Sequence, residues 1–116
     1  MKHIVYLKNI KEGWYGITNT KKKLGFGMIW DHRIFKHLWM WMVYRGVSGY
    51  PWYRRTYNIA LEPWSSLPDR FEEVQKQKDH LSLKPGGSIK CCFKAFVYQS
   101  DRRIKGFSNG LQPVRE

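Results

Sequence analysis

The chain is short of three things, and each shortage excludes a class of protein. It has two cysteines in 116 residues, adjacent at Cys91 and Cys92. In an extended chain neighbouring side chains point to opposite faces, so the pair makes a poor disulfide, and no metal-ligand spacing includes it. A disulfide scaffold and a zinc module are thereby excluded; two unpaired thiols suit a reducing, cytoplasmic setting. The chain also lacks a long apolar run. MKHIVYLKNI is too short and too polar for a signal peptide, and no segment approaches spanning length, so no membrane is expected. Acidic residues are scarce as well. Nine Asp and Glu stand against 21 Lys and Arg, a formal net charge of +12.

That basic balance would suit an acidic partner, nucleic acid above all. The charges are spread along the whole chain, however, and the one dense run, Lys21-Lys22-Lys23, reads as a polar turn between strands. Charge alone supplies only sequence-independent attraction, so nucleic-acid binding ranks as the less favoured reading. What the chain has in plenty is aromatic residues: six Trp, seven Tyr and six Phe. With 42% hydrophobic residues it can bury a modest core in one domain spanning residues 1–116.

The segment Tyr57 to Pro68 organises the rest. Tyr57, Ile59 and Leu61 alternate with Thr56, Asn58, Ala60 and Glu62, the pattern of a half-buried strand, and Pro63 is expected to end it. Glu62 is then a carboxylate on the polar face of a strand end, next to Trp64. Such a place can hold a general base, and an ordinary solvated strand end looks the same. Asn58 and Arg54 fall on the same face at two-residue steps.

Other strands are expected at His3 to Leu7, Trp14 to Thr18, Leu24 to Trp30, Ser88 to Gln99 and Arg103 to Phe107. The glycines alternating with Leu24, Phe26 and Met28 leave one strand face bare, for close approach by another backbone or a ligand. Phe35 to Tyr44 is apolar on both faces and reads as a central strand. Ser65 or Ser66 is placed to cap a short helix from Leu67 to Gln77, and residues 108–116 read as a tail. The fold class is mainly β: an antiparallel β-sandwich with one short helix. Covering both sides of the Phe35 to Tyr44 strand calls for more protein than the chain supplies, so a homo-oligomer or a missing N-terminal half is expected.

The run HLWMWMVYRGVSGYPWYRRTYNIALEPWSSLP, followed by LSLKPGGSIKCCFKAFVYQ, resembles the C-terminal part of aldose 1-epimerase-like proteins. The marks are an apolar strand ending in Glu-Pro with a Trp-Ser and a later Pro, then a Leu-x-Pro-Gly turn into a long strand. The resemblance spans roughly residues 10 to 110, the last third of a family-length chain. It implies part of a galactose-mutarotase-like β-supersandwich, a sugar ligand and no cofactor or metal. It also implies Glu62 as the catalytic base that takes the anomeric proton.

The family's acid histidine comes from well upstream, and none of His3, His32, His37 and His80 matches it; His37 reads as a packed histidine on an aromatic face. The chain carries half of a catalytic pair, as a fragment or a degenerate relative would. Beside Glu62, a sugar would meet Trp64, Trp39 and Trp41, with Asn58 and Arg54 for its polar groups. The competing reading for each Trp is core filling. A sugar-binding or assembly sandwich without chemistry is the alternative to an isomerase.

Overall fold

The computed structural model describes residues 2–116. Among them are eight strands and one helix: β1 (Lys2–Leu7), β2 (Trp14–Asn19), β3 (Leu24–Trp30), β4 (His37–Tyr44), β5 (Tyr57–Trp64), α1 (Phe71–Lys76), β6 (Phe93–Gln99), β7 (Ile104–Phe107) and β8 (Pro113–Arg115). The protein is mainly β, every strand pair is antiparallel, and the helix is short. The chain divides into two compact units. One takes Met1–Lys11 and His32–Ile89; the other takes Glu12–Asp31 and Lys90–Glu116. None of the described helices is long and apolar enough to cross a membrane.

In the first unit the sheet order is β1-β4-β5. β4 is central, as its two apolar faces require, and Leu38 and Val43 are its most deeply buried hydrophobic residues. β5 runs on through Pro63 to Trp64, past the expected stop. The reason is position: β5 is an edge strand, where a missing N–H is harmless if it would face away from the neighbour. Pro63 sits opposite Leu38 and Trp64 opposite His37, so the last turn of pleat carries Trp64 onto the same face as Glu62.

The helix starts later than the sequence suggests, at Phe71, with Arg70 at the cap and no side-chain capping bond. Ser65 and Ser66 are not its caps. Leu67 precedes Pro68, which disfavours helical backbone there, and the Leu67 N–H is taken instead by Asp79 at 2.8 Å. The C-terminus is tightly closed. Asp79 N–H donates to Val74 O (3.0 Å) and Lys78 N–H to Gln75 O (3.1 Å), with Lys78 at φ 54°. This is a Schellman motif with lysine where glycine is usual, and it turns the chain so that Asp79 points back toward β4. Lys78→Gly should therefore raise stability by about 0.5 kcal/mol, less than the strain relieved because glycine also loosens the unfolded chain. A urea midpoint that falls in the variant would count against this account of the turn.

The second unit pairs β2, β3 and β6 in that order and adds the β7-β8 hairpin. Residues read as a tail thus contain a paired strand, β8, with Pro113 opposite Phe107. β6 begins at Phe93 rather than Ser88. Phe93 pairs with Trp30, where β3 ends, so residues 88–92 alternate correctly but have no strand to pair with. Both cysteines lie in that unpaired segment, exposed and free. Gly16, Gly25 and Gly27 lie on one face of the sheet together with Thr18, Phe96 and Tyr98. The bare surface they leave is filled by side chains of the same unit rather than by a backbone or a ligand. Tyr98 lies over Gly25 and shares a 2.7 Å hydrogen bond with Thr18, and Phe107 lies over Gly27. Phe107 meets Trp14, Phe96 and Tyr98 edge to face, with centroids 5.6, 4.8 and 5.1 Å away. Trp30, Tyr98 and Ile104 are the buried core of this unit.

Candidate functional site

Cross-strand register fixes which side chains of the first unit share a face. Tyr6 pairs with Trp39, and Trp39 with Glu62; His37 pairs with Trp64, Trp41 with Ala60, and Val43 with Asn58. Directly opposed residues lie on one side of a sheet, so Tyr6, His37, Trp39, Trp41, Asn58, Glu62 and Trp64 all project from the same face.

Within that face Trp39 and Trp64 meet across the diagonal of their four-residue square. Their rings stack with centroids 4.3 Å apart and planes 17° from parallel. Tyr6 closes the far side of Trp39 edge-on at 5.1 Å, and the Trp39 indole N–H donates to Ser66 O at 3.2 Å. Trp39, half-buried, is thus held by two rings and by its N–H and serves as a floor. Trp64 is different: one face rests on Trp39, and the residue is 40% exposed. Its indole N–H donates to Glu62 Oε2 at 3.0 Å. That bond fixes the carboxylate at the edge of an open aromatic surface and leaves Oε1 as an acceptor.

His37 sits at the next corner, and sequence reasoning undervalued it. The ring is buried, and Nε2 lies 2.8 Å from Asp79 Oδ1 and 3.1 Å from Oδ2. Asp79 also accepts from Lys36 Nζ at 3.1 Å and from Leu67 N–H at 2.8 Å. Burial pushes the Asp79 carboxyl up, but the hydrogen bonds from His37, Leu67 and Lys36 outweigh it and bring the pKa down to about 2. Asp79 is therefore an anion that ties β4, the segment after β5 and the end of α1 together. His37 Nδ1, by contrast, is buried with no hydrogen-bond partner among the described residues.

Comparison with protein-family models, with curated proteins and with solved structures finds no match. The site stands on its geometry.

Of the residues expected at a sugar site, Glu62, Trp64 and Trp39 come together as one unit. Trp41 lies on the same face but packs edge-on against Trp52, at 5.6 Å, one pleat away from Glu62. Asn58 shares the face four residues down the strand from Glu62, about 13 Å at 3.3 Å per residue, beyond the span of a single sugar ring. Arg54 is not on the strand. It occupies the turn before β5, at φ 58° and with its N–H on Val47 O at 2.7 Å, so the two-residue stepping that linked it to Asn58 does not apply. Among the described residues no three His, Cys, Asp or Glu side chains converge as metal ligands.

Proposed function

We propose that this chain binds an aldose, the ring lying on the outer face of the Trp64 indole and one hydroxyl donating to the Glu62 carboxylate. The observation that carries this reading is the clamp itself: an exposed indole backed by Trp39, with a carboxylate fixed at its edge by the Trp64 N–H. An aromatic face suits the apolar C–H side of a pyranose, and a charged acceptor suits its hydroxyls. The resemblance to aldose 1-epimerases adds that Glu62 would be the base for the anomeric proton. Turnover would also need an acid at the ring oxygen. The histidine on this face, His37, directs Nε2 to Asp79, so binding without mutarotation is the reading that the geometry favours.

Calorimetric titration with glucose and galactose tests it. Trp64→Ala should weaken binding about tenfold, the equivalent of 1.4 kcal/mol, through loss of the stacking surface. Glu62→Gln should weaken it by a similar factor, because a hydrogen bond to a charged acceptor is worth roughly twice a neutral one. Absence of heat with both sugars, or affinity unchanged in both variants, would overturn the proposal. Polarimetry separates the two forms of it: a rate above buffer that Glu62→Gln abolishes would establish an isomerase.

A further inference from the structure

The clamp of indole and carboxylate occurs a second time, in the other unit. Glu12 stands two residues before Trp14, and the Trp14 N–H donates to Glu12 Oε2 at 2.9 Å. The surroundings differ. Here the pair lines a cavity of about 270 Å³ with Gly13, Ile29, Gly106 and Phe107. Trp14 and Phe107 form a corner, their rings 5.6 Å apart and 86° from parallel. We infer that this corner is a binding site for a small organic cation of the quaternary-ammonium type.

Three features select that chemistry. Two aromatic rings at right angles offer one negative π face and one positive edge each, and a cation placed in the corner can meet more than one ring surface. Glu12 is the one ionisable side chain in the lining, so the wall itself carries a negative charge although the chain as a whole carries +12. Its Oε1 takes no hydrogen bond from the described residues, which leaves an anionic oxygen for the ligand. A sugar fits less well, since the flat C–H side of a pyranose suits one open ring face, as at Trp64, whereas here the second ring stands 86° from the first. An inorganic cation fits less well again. Apart from Glu12, the lining side chains are hydrocarbon and aromatic, whereas hard metal ions take several oxygen ligands. A trimethylammonium group, weakly hydrated and apolar at its surface, matches both the walls and the charge.

Gly106 contributes to the opening. A Cβ built there meets no atom within 4 Å, so the strand passes without a side chain at the wall of the cavity.

The test is a titration with choline, followed through the six indole N–H signals in a nitrogen-correlated NMR spectrum, with Trp14→Phe used to assign the Trp14 signal. Dimethylbutanol, the uncharged isostere of choline, is the control. Choline should shift the Trp14 signal with saturation in the millimolar range, and the isostere should bind at least tenfold more weakly. Glu12→Gln keeps an acceptor for the indole N–H on an exposed residue, so the fold is retained while choline affinity falls about tenfold. An unmoved Trp14 signal would overturn the site. Equal binding by the isostere, or unchanged affinity in Glu12→Gln, would overturn its assignment to a cation.

Discussion

Replacing Asp79 by Ala is expected to cost about 3 kcal/mol of stability, and to lower the melting temperature by roughly 12 °C in a chain of this size. The size follows from what the carboxylate leaves behind. Three donors converge on it: Lys36 Nζ, His37 Nε2 and the Leu67 N–H. Lys36 is 39% exposed and can turn to water, so its loss contributes little. His37 is 8% exposed and Leu67 is half-buried, and each loses its partner without an equivalent exchange for solvent. Asp79→Asn should fall between wild type and Asp79→Ala, because the amide still accepts but also turns an N–H₂ group toward existing donors.

The same carboxylate gives the stability a pH signature. Its folded pKa, about 2, lies below the ordinary 3.8. The unfolded state therefore takes up a proton first as the pH falls. The stabilisation is fully present above pH 4 and is lost progressively between about pH 4 and pH 2. At about 1.4 kcal/mol per pKa unit it amounts to about 2 kcal/mol. Urea midpoints measured across that interval should slope in the wild type and flatten in Asp79→Asn. Parallel slopes in the two proteins would assign the acid sensitivity to other groups.

Asp79 also marks the limit of what the residues alone disclose. Strands were legible where a single periodic signal controls them. β3 falls on Leu24–Trp30 because glycine alternates with large apolar residues there, and β4 is central because both of its faces are apolar. The juxtaposition of Glu62 and Trp64 was legible for the same reason: two residues apart in a strand means one face. The rest depends on partners distant in sequence. His37 and Asp79 are 42 residues apart, and their meeting depends on a Schellman turn with lysine at its left-handed position, which carries no glycine signal. The spacing draws Arg54 into the strand because the two left-handed positions of its turn, Tyr53 and Arg54, hold no glycine to mark them. Residues 88–92 alternate like a strand, yet a strand needs a neighbour, and β3 ends opposite Phe93. Alternation reports which face a residue would take; only the partner's length decides whether there is a sheet to take it in.

The glycine face of the second unit yields the other large effect. Gly25→Ala would set its Cβ within the ring of Tyr98, touching Cζ, Cε2 and the hydroxyl oxygen. Tyr98 has little room to yield: it is 5% exposed, it packs edge-on against Phe107, and its hydroxyl is bonded to Thr18. Overpacking of this kind costs about 1–3 kcal/mol, and displacing the ring also breaks the hydrogen bond, worth about 1 kcal/mol. Alanine returns part of this by restricting the unfolded chain, about 0.5 kcal/mol, so the expected net loss is about 3 kcal/mol. Gly106→Ala is the internal control. Its Cβ enters open space, the unfolded-state gain is unopposed, and the variant should be neutral or slightly stabilised. If steric overlap is the cause, Tyr98→Ala must abolish the Gly25 effect: in that background Gly25→Ala should cost nothing further, giving a coupling of about 3 kcal/mol in a double-mutant cycle. Additive losses in that cycle would mean that Gly25 is required for its backbone rather than for the space it leaves. Tyr98 would then be a neighbour of the glycine and not the reason for it.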